Sequence, residues 1–269
     1  MQVDAEVYFW KHEKLIPNPL IRNNKFLQQQ YLPEQILQNL HRNNMEGCLA
    51  FPSGQSELES RFLAELALTH PIIFGTIGNI DLGDVKAPEK IEAFHHYRSI
   101  RGYHLETNGD YKIYGQVMPL LKQYQYCLDL LLTPETNIST LNSWISSYPD
   151  QYFILKDCGS PDAKQPPLNS WETSIRVLSK NKNLSCKVSG LFTLGNWKTW
   201  RPADFYPFLE ILFDAFGAER LLYASDWPFL LLSGIYVQWK SLLEKFTEKY
   251  TSEERDLFFG ENARRIYQL

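Results

Sequence analysis

Short runs of apolar, β-branched and aromatic residues recur along the chain, separated by longer stretches in which apolar residues return every three or four positions. The short runs predict strands at Val3–Phe9, Gly47–Phe51, Ile72–Ile80, Ile100–Leu105, Cys127–Leu132, Tyr152–Lys156, Leu184–Val188 and Arg220–Ala224. The longer stretches predict helices. Leu32-Pro33-Glu34 opens one with proline in its first turn, and Leu37 and Leu40 share a face. Ser56–Thr69 carries Leu58, Phe62, Leu63 and Leu66 at helical spacing, and Thr133-Pro134-Glu135 starts another helix. Ser170–Lys180 and Ala203–Phe216 follow, and Ser233 to Tyr267 reads as two or three helices packed on the outside.

Strands that alternate with helices pair in parallel, because a parallel pair needs a long crossover. Eight repeats favour closure into a (β/α)8 TIM barrel over an open doubly wound sheet. An open sheet of that kind carries a glycine-rich phosphate loop after its first strand. Here Lys11-His12-Glu13-Lys14 stands in that place. No linker divides the chain, so residues 1–269 are read as one barrel domain.

Composition narrows the function classes. A formal net charge of −4 gives no electrostatic reason to expect nucleic acid or an anionic membrane as partner. No run of eighteen apolar residues exists, and the acidic start (Asp4, Glu6) is unlike a signal peptide. The expectation is a cytoplasmic protein. Cys48, Cys127, Cys158 and Cys186 are far apart and form no Cys-x-x-Cys pair, so they read as buried thiols.

In a barrel, functional groups come from the carboxyl ends of the strands and the loops beyond them. Those positions hold Glu6 and Tyr8, Asn79 and Asp81, His104 and Glu106, Lys156 and Asp157, Lys187 and Ser189, and Asp226. Carboxylates and lysines gathered at one mouth must pair with each other or hold a ligand. Trp197, Trp200 and Trp227 either wall a pocket or pack in the core.

An ordered set of motifs resembles the amidohydrolase-related family, in the branch of sugar-lactone and pyrone-dicarboxylate lactonases. Val3-Asp4-Ala5-Glu6-Val7-Tyr8-Phe9-Trp10 resembles the family's opening Ile-Asp-x-His-x-His-Phe-Trp. Ile154-Leu-Lys-Asp-Cys-Gly-Ser-Pro-Asp162 is similar to Val-Leu-Asp-His-x-Gly-Lys-Pro. Ala224-Ser-Asp-Trp-Pro228 is similar to the strand-eight motif Gly-Ser-Asp-Trp-Pro, and Phe259-Gly-Glu-Asn-Ala263 to its closing motif. The resemblance implies that Asp226 binds metal or acts as general base.

The departures change that implication. Glu6 and Tyr8 replace both histidines of the first motif, Asp157 replaces the strand-six histidine, and Lys156 replaces the aspartate before it. His104 aligns with the strand-four histidine only if one residue is missing. A zinc site built on three absent imidazoles does not form.

The leading expectation is therefore a hydrolase of lactones or similar cyclic esters with a metal-independent or atypical site. Asp226 would be its base, and Lys187, Lys156 or His104 would stabilise the oxyanion. Glu6, Tyr8, Asp157, Trp197 and Trp227 would contact a small-molecule substrate, a lactone or carboxylic acid derivative. The second expectation is a non-catalytic barrel that binds a metabolite or protein partner. A weaker third is a divalent cation held by Glu6, Asp157 and Asp226. The sequence sets neither substrate nor oligomeric state.

Overall fold

The computed structural model describes residues 1–11, 18–54, 56–107 and 109–269. His12, Glu13 and Lys14, which stand where a phosphate loop would follow the first strand, lie outside them. Eight strands form one sheet in chain order: β1 (Val3–Tyr8), β2 (Gly47–Phe51), β3 (Ile73–Gly78), β4 (Ile100–Glu106), β5 (Cys127–Leu131), β6 (Phe153–Leu155), β7 (Leu184–Val188) and β8 (Leu221–Tyr223). Each neighbouring pair is parallel. Both faces of most strands are buried, which is why they read as apolar runs and not as alternating ones.

The ring closes through the ends of β1 and the backbone just past β8. Tyr8 N donates to Trp227 O at 2.7 Å, and Asp226 N donates to Glu6 O at 3.2 Å. The Asp4 carboxylate accepts Ser225 N at 2.9 Å and the Tyr236 hydroxyl at 2.8 Å on the same seam. Elsewhere the strands pack closely: a Cβ on Gly102 would sit 2.3 Å from the Cys127 carbonyl oxygen on β5.

The outer helices include Pro33–Arg42, Glu57–Thr69, Asn169–Leu178 and Pro202–Phe216. Two readings of them change. The second helix buries Ser60, Leu63 and Ala64 while Leu58 is 77% exposed, so its inner face is rotated from the one the leucine spacing suggested. The Ser60 hydroxyl earns that position by bonding both Asn79 O and Asn79 N. The helix expected at Thr133-Pro134-Glu135 begins instead at Ile138. Residues 133–136 form a turn, and the Asn137 side chain caps the helix by accepting Thr140 N.

At the carboxyl end, helices run over Tyr236–Thr247, Ser252–Asp256 and Asn262–Tyr267. The Asn262 amide donates to Ala218 O and Leu221 O, tying this segment to the start of β8. All four cysteines are buried and unpaired. Among the described residues, no helix is long and apolar enough to cross a membrane.

Candidate active site

Side chains alternate along a strand, so Glu6 and Tyr8 on β1 share a face. Both turn toward Lys156, which follows β6. The Tyr8 hydroxyl donates to Glu6 Oε1, while Lys156 Nζ donates to the Tyr8 oxygen at 2.9 Å and pairs with Glu6 at 3.1 Å. On the other side of Glu6 lies Lys187, from β7, at 3.2 Å. Lys187 also pairs with Asp129 on β5 at 2.6 Å and rests 3.6 Å from the centre of the Phe51 ring. Asp129 in turn accepts the Tyr267 hydroxyl at 2.7 Å. A buried chain of charges thus runs from the carboxyl-terminal helix to Lys156.

Two further carboxyl groups stand beside that chain. Asp157 accepts the Ser189 hydroxyl at 3.0 Å, and Asp226 accepts the Thr193 hydroxyl at 2.6 Å. Both aspartates have left-handed backbone, with φ of 48° and 60°. Such strain persists only where surrounding structure enforces it. Gly190 belongs to the same arrangement. Its φ is +72°, and a Cβ there would stand 2.8 Å from the Asp157 side chain. Oxygens of Glu6, Asp157 and Asp226 all come within 4.8 Å of one another.

Burial pushes the Asp226 carboxyl well above the usual range, and the negative charges of Asp157 and Glu6 push it further. Asp157 is raised by the same two causes, burial and then Glu6. Burial would raise Glu6 too, but Lys156 and Lys187 outweigh it and hold Glu6 at about 2. The Glu6 charge also offsets the burial of Lys156 and keeps its ammonium protonated. The result is one firmly ionised carboxylate clamped by cations, next to two that resist ionising together.

These groups meet a cavity of about 440 Å³. Tyr8, His104, Lys156, Asp157, Thr193 and Asp226 line it, with Leu20, Leu194 and Phe229 giving it an apolar side. Asn79, His104 and Glu106 also line an adjoining chamber of about 640 Å³. His104 is held at about 3 by burial and by the Lys156 charge, so its imidazole is neutral.

That value carries a stability consequence. Unfolded, the ring takes a proton near its ordinary 6.5, whereas folded it does not until about 3. The folded state therefore loses stability as pH falls from 6.5 toward 3. His104→Gln is expected to flatten that part of the curve in urea melts at pH 7, 5.5 and 4.5. An unchanged slope would show that His104 is not its source.

Of the residues expected at the mouth, the structure brings Tyr8, His104, Lys156, Asp157 and Asp226 to the cavity wall. Glu6 lies directly beneath, fully enclosed. Three expectations shift. Lys187 has no exposure and stands a layer lower, where it faces Glu6 and Asp129 instead of a substrate. Trp227 is 2% exposed and packs edge-on against Tyr31, so it belongs to the core behind the loop. Trp197 lines a separate surface hollow with Lys164 and Asn196. Its indole donates to Thr193 O, on the residue whose hydroxyl holds Asp226. Asp129 and Thr193 are site residues that the sequence reading missed.

The amidohydrolase family model matches residues 3–269. An L-fucono-1,5-lactonase from Burkholderia multivorans is 26% identical over an alignment that spans this whole chain and 96% of that protein. An amidohydrolase from Burkholderia multivorans, solved with bound zinc, superposes with a TM-score of 0.90 at 23% identity, covering all of this chain and 99% of its own. A probable 2-pyrone-4,6-dicarboxylic acid hydrolase from Acinetobacter baumannii, solved with citric acid, gives 0.75 at 12% identity, with 100% and 99% coverage. At these identities the structural matches establish the barrel fold.

Proposed function

The chain belongs to the amidohydrolase family, and from that premise we propose that it hydrolyses a small lactone without a metal, with Asp226 as general base. One observation carries the reading. A single cavity holds a carboxyl group whose charge is disfavoured, Asp226, together with the Lys156 ammonium and the neutral His104. The lactonase named above supports the substrate class.

In this reading water sits between Asp226 and the lactone carbonyl. Asp226 takes a water proton as the oxygen bonds to the carbonyl carbon. Negative charge gathers on the carbonyl oxygen, where Lys156 and a ring N–H of His104 oppose it. The adduct collapses, the ring C–O bond breaks, and the departing alkoxide recovers the proton from Asp226. Lactone and water become one hydroxy acid. Because burial, and then the charges of Asp157 and Glu6, raise its affinity for protons, ionised Asp226 is a stronger base than a free carboxylate.

The Glu6, Asp157 and Asp226 oxygens are close enough to surround one cation. The fit to zinc is nevertheless poor. The set offers no imidazole or thiolate, which zinc prefers. Glu6 is already engaged by the Tyr8 hydroxyl and by two ammonium groups. We read Lys156 as the resident positive charge, and no step here runs through a metal. The cavity, with Asp226, Lys156 and His104 meeting in its wall, supports catalysis over a barrel that only binds a ligand.

A panel of five- and six-membered sugar lactones, assayed by acid release, tests this. Turnover is expected to persist in a chelator and to gain nothing from added zinc or manganese. Inactivity toward every lactone, or activity that a chelator removes and zinc restores, overturns the proposal.

A further inference from the structure

Extended backbone sends neighbouring side chains to opposite faces, yet Lys156 and Asp157 both reach Glu6. The backbone explains the exception. Asp157, Cys158, Gly159 and Ser160 have φ of 48°, 54°, 72° and 53°, four left-handed residues in succession directly after Lys156. Lys156 itself is anchored, its N–H donating to Leu130 O and its carbonyl accepting Gly159 N. The turn brings the Asp157 carboxyl back to the point that the Lys156 stem has already reached. Three of the four residues carry side chains that disfavour such backbone, so the fold holds this ammonium and carboxylate together against local preference.

Lys156 is 4% exposed, and its charge is felt by three carboxyl groups at once. Against the burial that raises all three, it draws Glu6, Asp157 and Asp226 toward ionisation. Lys187 is taken up between Glu6 and Asp129 a layer below. The oxygens of Glu6, Asp157 and Asp226 lie within 4.8 Å of one another. That is close to the ~5 Å between opposite oxygens around a calcium-sized ion. The Tyr8 hydroxyl, 2.9 Å from Lys156 Nζ, is a fourth oxygen at the same place. Such an oxygen-only set suits a hard divalent cation. In this chain the ion would meet the ammonium instead, and like charge a few ångströms away opposes its entry.

We propose that the Lys156 ammonium is a tethered substitute for a divalent cation, and that shortening its side chain uncovers a site for one hard ion formed by Glu6, Asp157, Asp226 and the Tyr8 hydroxyl. The inference goes beyond the lactonase reading and does not depend on it, because the exchange of one cation for another holds whatever the cavity turns over. Three carboxyl groups this close need a positive charge among them. The lysine supplies it covalently; with the lysine gone, the same demand falls on an ion from solution.

The test titrates Mn2+ into wild-type protein and Lys156→Ala, both stripped with chelator, and reads the free ion by electron paramagnetic resonance. The wild type is expected to leave the ion in solution and to melt at the same temperature with and without it. Lys156→Ala is expected to take up one Mn2+ per chain and to melt about 5 °C higher when the ion is in hundredfold excess over its Kd. Adding Asp226→Asn to Lys156→Ala is expected to weaken uptake by about tenfold or more, which ties the ion to this site. Lys156→Ser repeats the measurement with a small polar side chain. If either short variant is recovered unfolded from metal-free buffer, Mn2+ is expected to restore its native circular dichroism. Stoichiometric uptake by the wild type, no uptake or restoration in either short variant, or uptake that Asp226→Asn leaves unchanged overturns the proposal. Inactivity of the wild type toward lactones overturns the lactonase reading alone and leaves the cation replacement standing.

Discussion

Asp226→Asn is expected to lower lactone turnover by roughly 10²–10⁴-fold, the range typical of losing a general base, while the protein melts no lower than the wild type. The first half follows from chemistry, since an amide cannot take the water proton. The second half follows from the pKa. Asp226 is only 6% exposed, faces Asp157 and Glu6, and has its pKa raised well above 3.8. Between 3.8 and that raised value the folded chain holds a proton that the unfolded chain has released. Stability is therefore fully present below 3.8 and declines as pH rises through the window. Asparagine removes the charge, tolerates the left-handed φ of 60°, and still accepts from Thr193. Its melting temperature should match or exceed that of the wild type at pH 7.5, with the gap closing near pH 4. Unchanged turnover would sink the catalytic assignment; a large loss of stability would show that Asp226 mainly supports the fold.

Lys187→Met should have the largest effect on stability, a loss of about 3–5 kcal/mol at neutral pH, because it strips the partner from buried charges. Lys187 is fully enclosed between Glu6 and Asp129. Burial already raises Asp129, and Lys187 is the main influence pulling it back down. Without the ammonium both carboxyl groups shift upward, so the variant should regain stability as pH falls and protons neutralise them. Adding Asp129→Asn to Lys187→Met should recover part of the loss. Urea denaturation at pH 7.5 and pH 5 measures both effects. A variant as stable as the wild type at pH 7.5 would mean that the charges are solvated or already neutral.

The barrel was legible because apolar runs of strand length kept recurring between helical stretches. Eight short buried strands leave that trace whatever their partners. The misreadings were local. Leu58 fits a helical stripe by spacing, yet it faces a chamber, and the buried hydroxyl of Ser60 takes the inner position. Thr133-Pro134 has the form of a helix start, but Thr136 bonds back to Thr107 O and the helix starts only at Ile138, capped by Asn137.

The site was legible in part. Glu6, Tyr8, Lys156, Asp157 and Asp226 could be placed because they end strands or follow them directly. Depth within the barrel could not be read the same way. Lys187 is the fourth of five residues in β7, and nothing local says whether such a side chain points to the mouth or below it. Asp129 stands out as a charge in the leucine-rich run of β5, but its partners Lys187 and Tyr267 lie far away in sequence. Thr193 is found only by folding the loop after β7 back onto Asp226.

The seam that closes the barrel has a kinetic meaning. Its two backbone hydrogen bonds, Tyr8 to Trp227 and Asp226 to Glu6, flank the residue assigned as base and the carboxylate that tunes it. Under the proposed mechanism, a fluctuation that parts β1 from the chain beyond β8 would dismantle the site in the same event that admits water to the interior. Local opening and inactivation share one free energy, and amide exchange at Tyr8 and Asp226 reports both. If Asp226 is the base, such a barrel is expected to have no half-assembled active state: shut it is competent, and open it is inert.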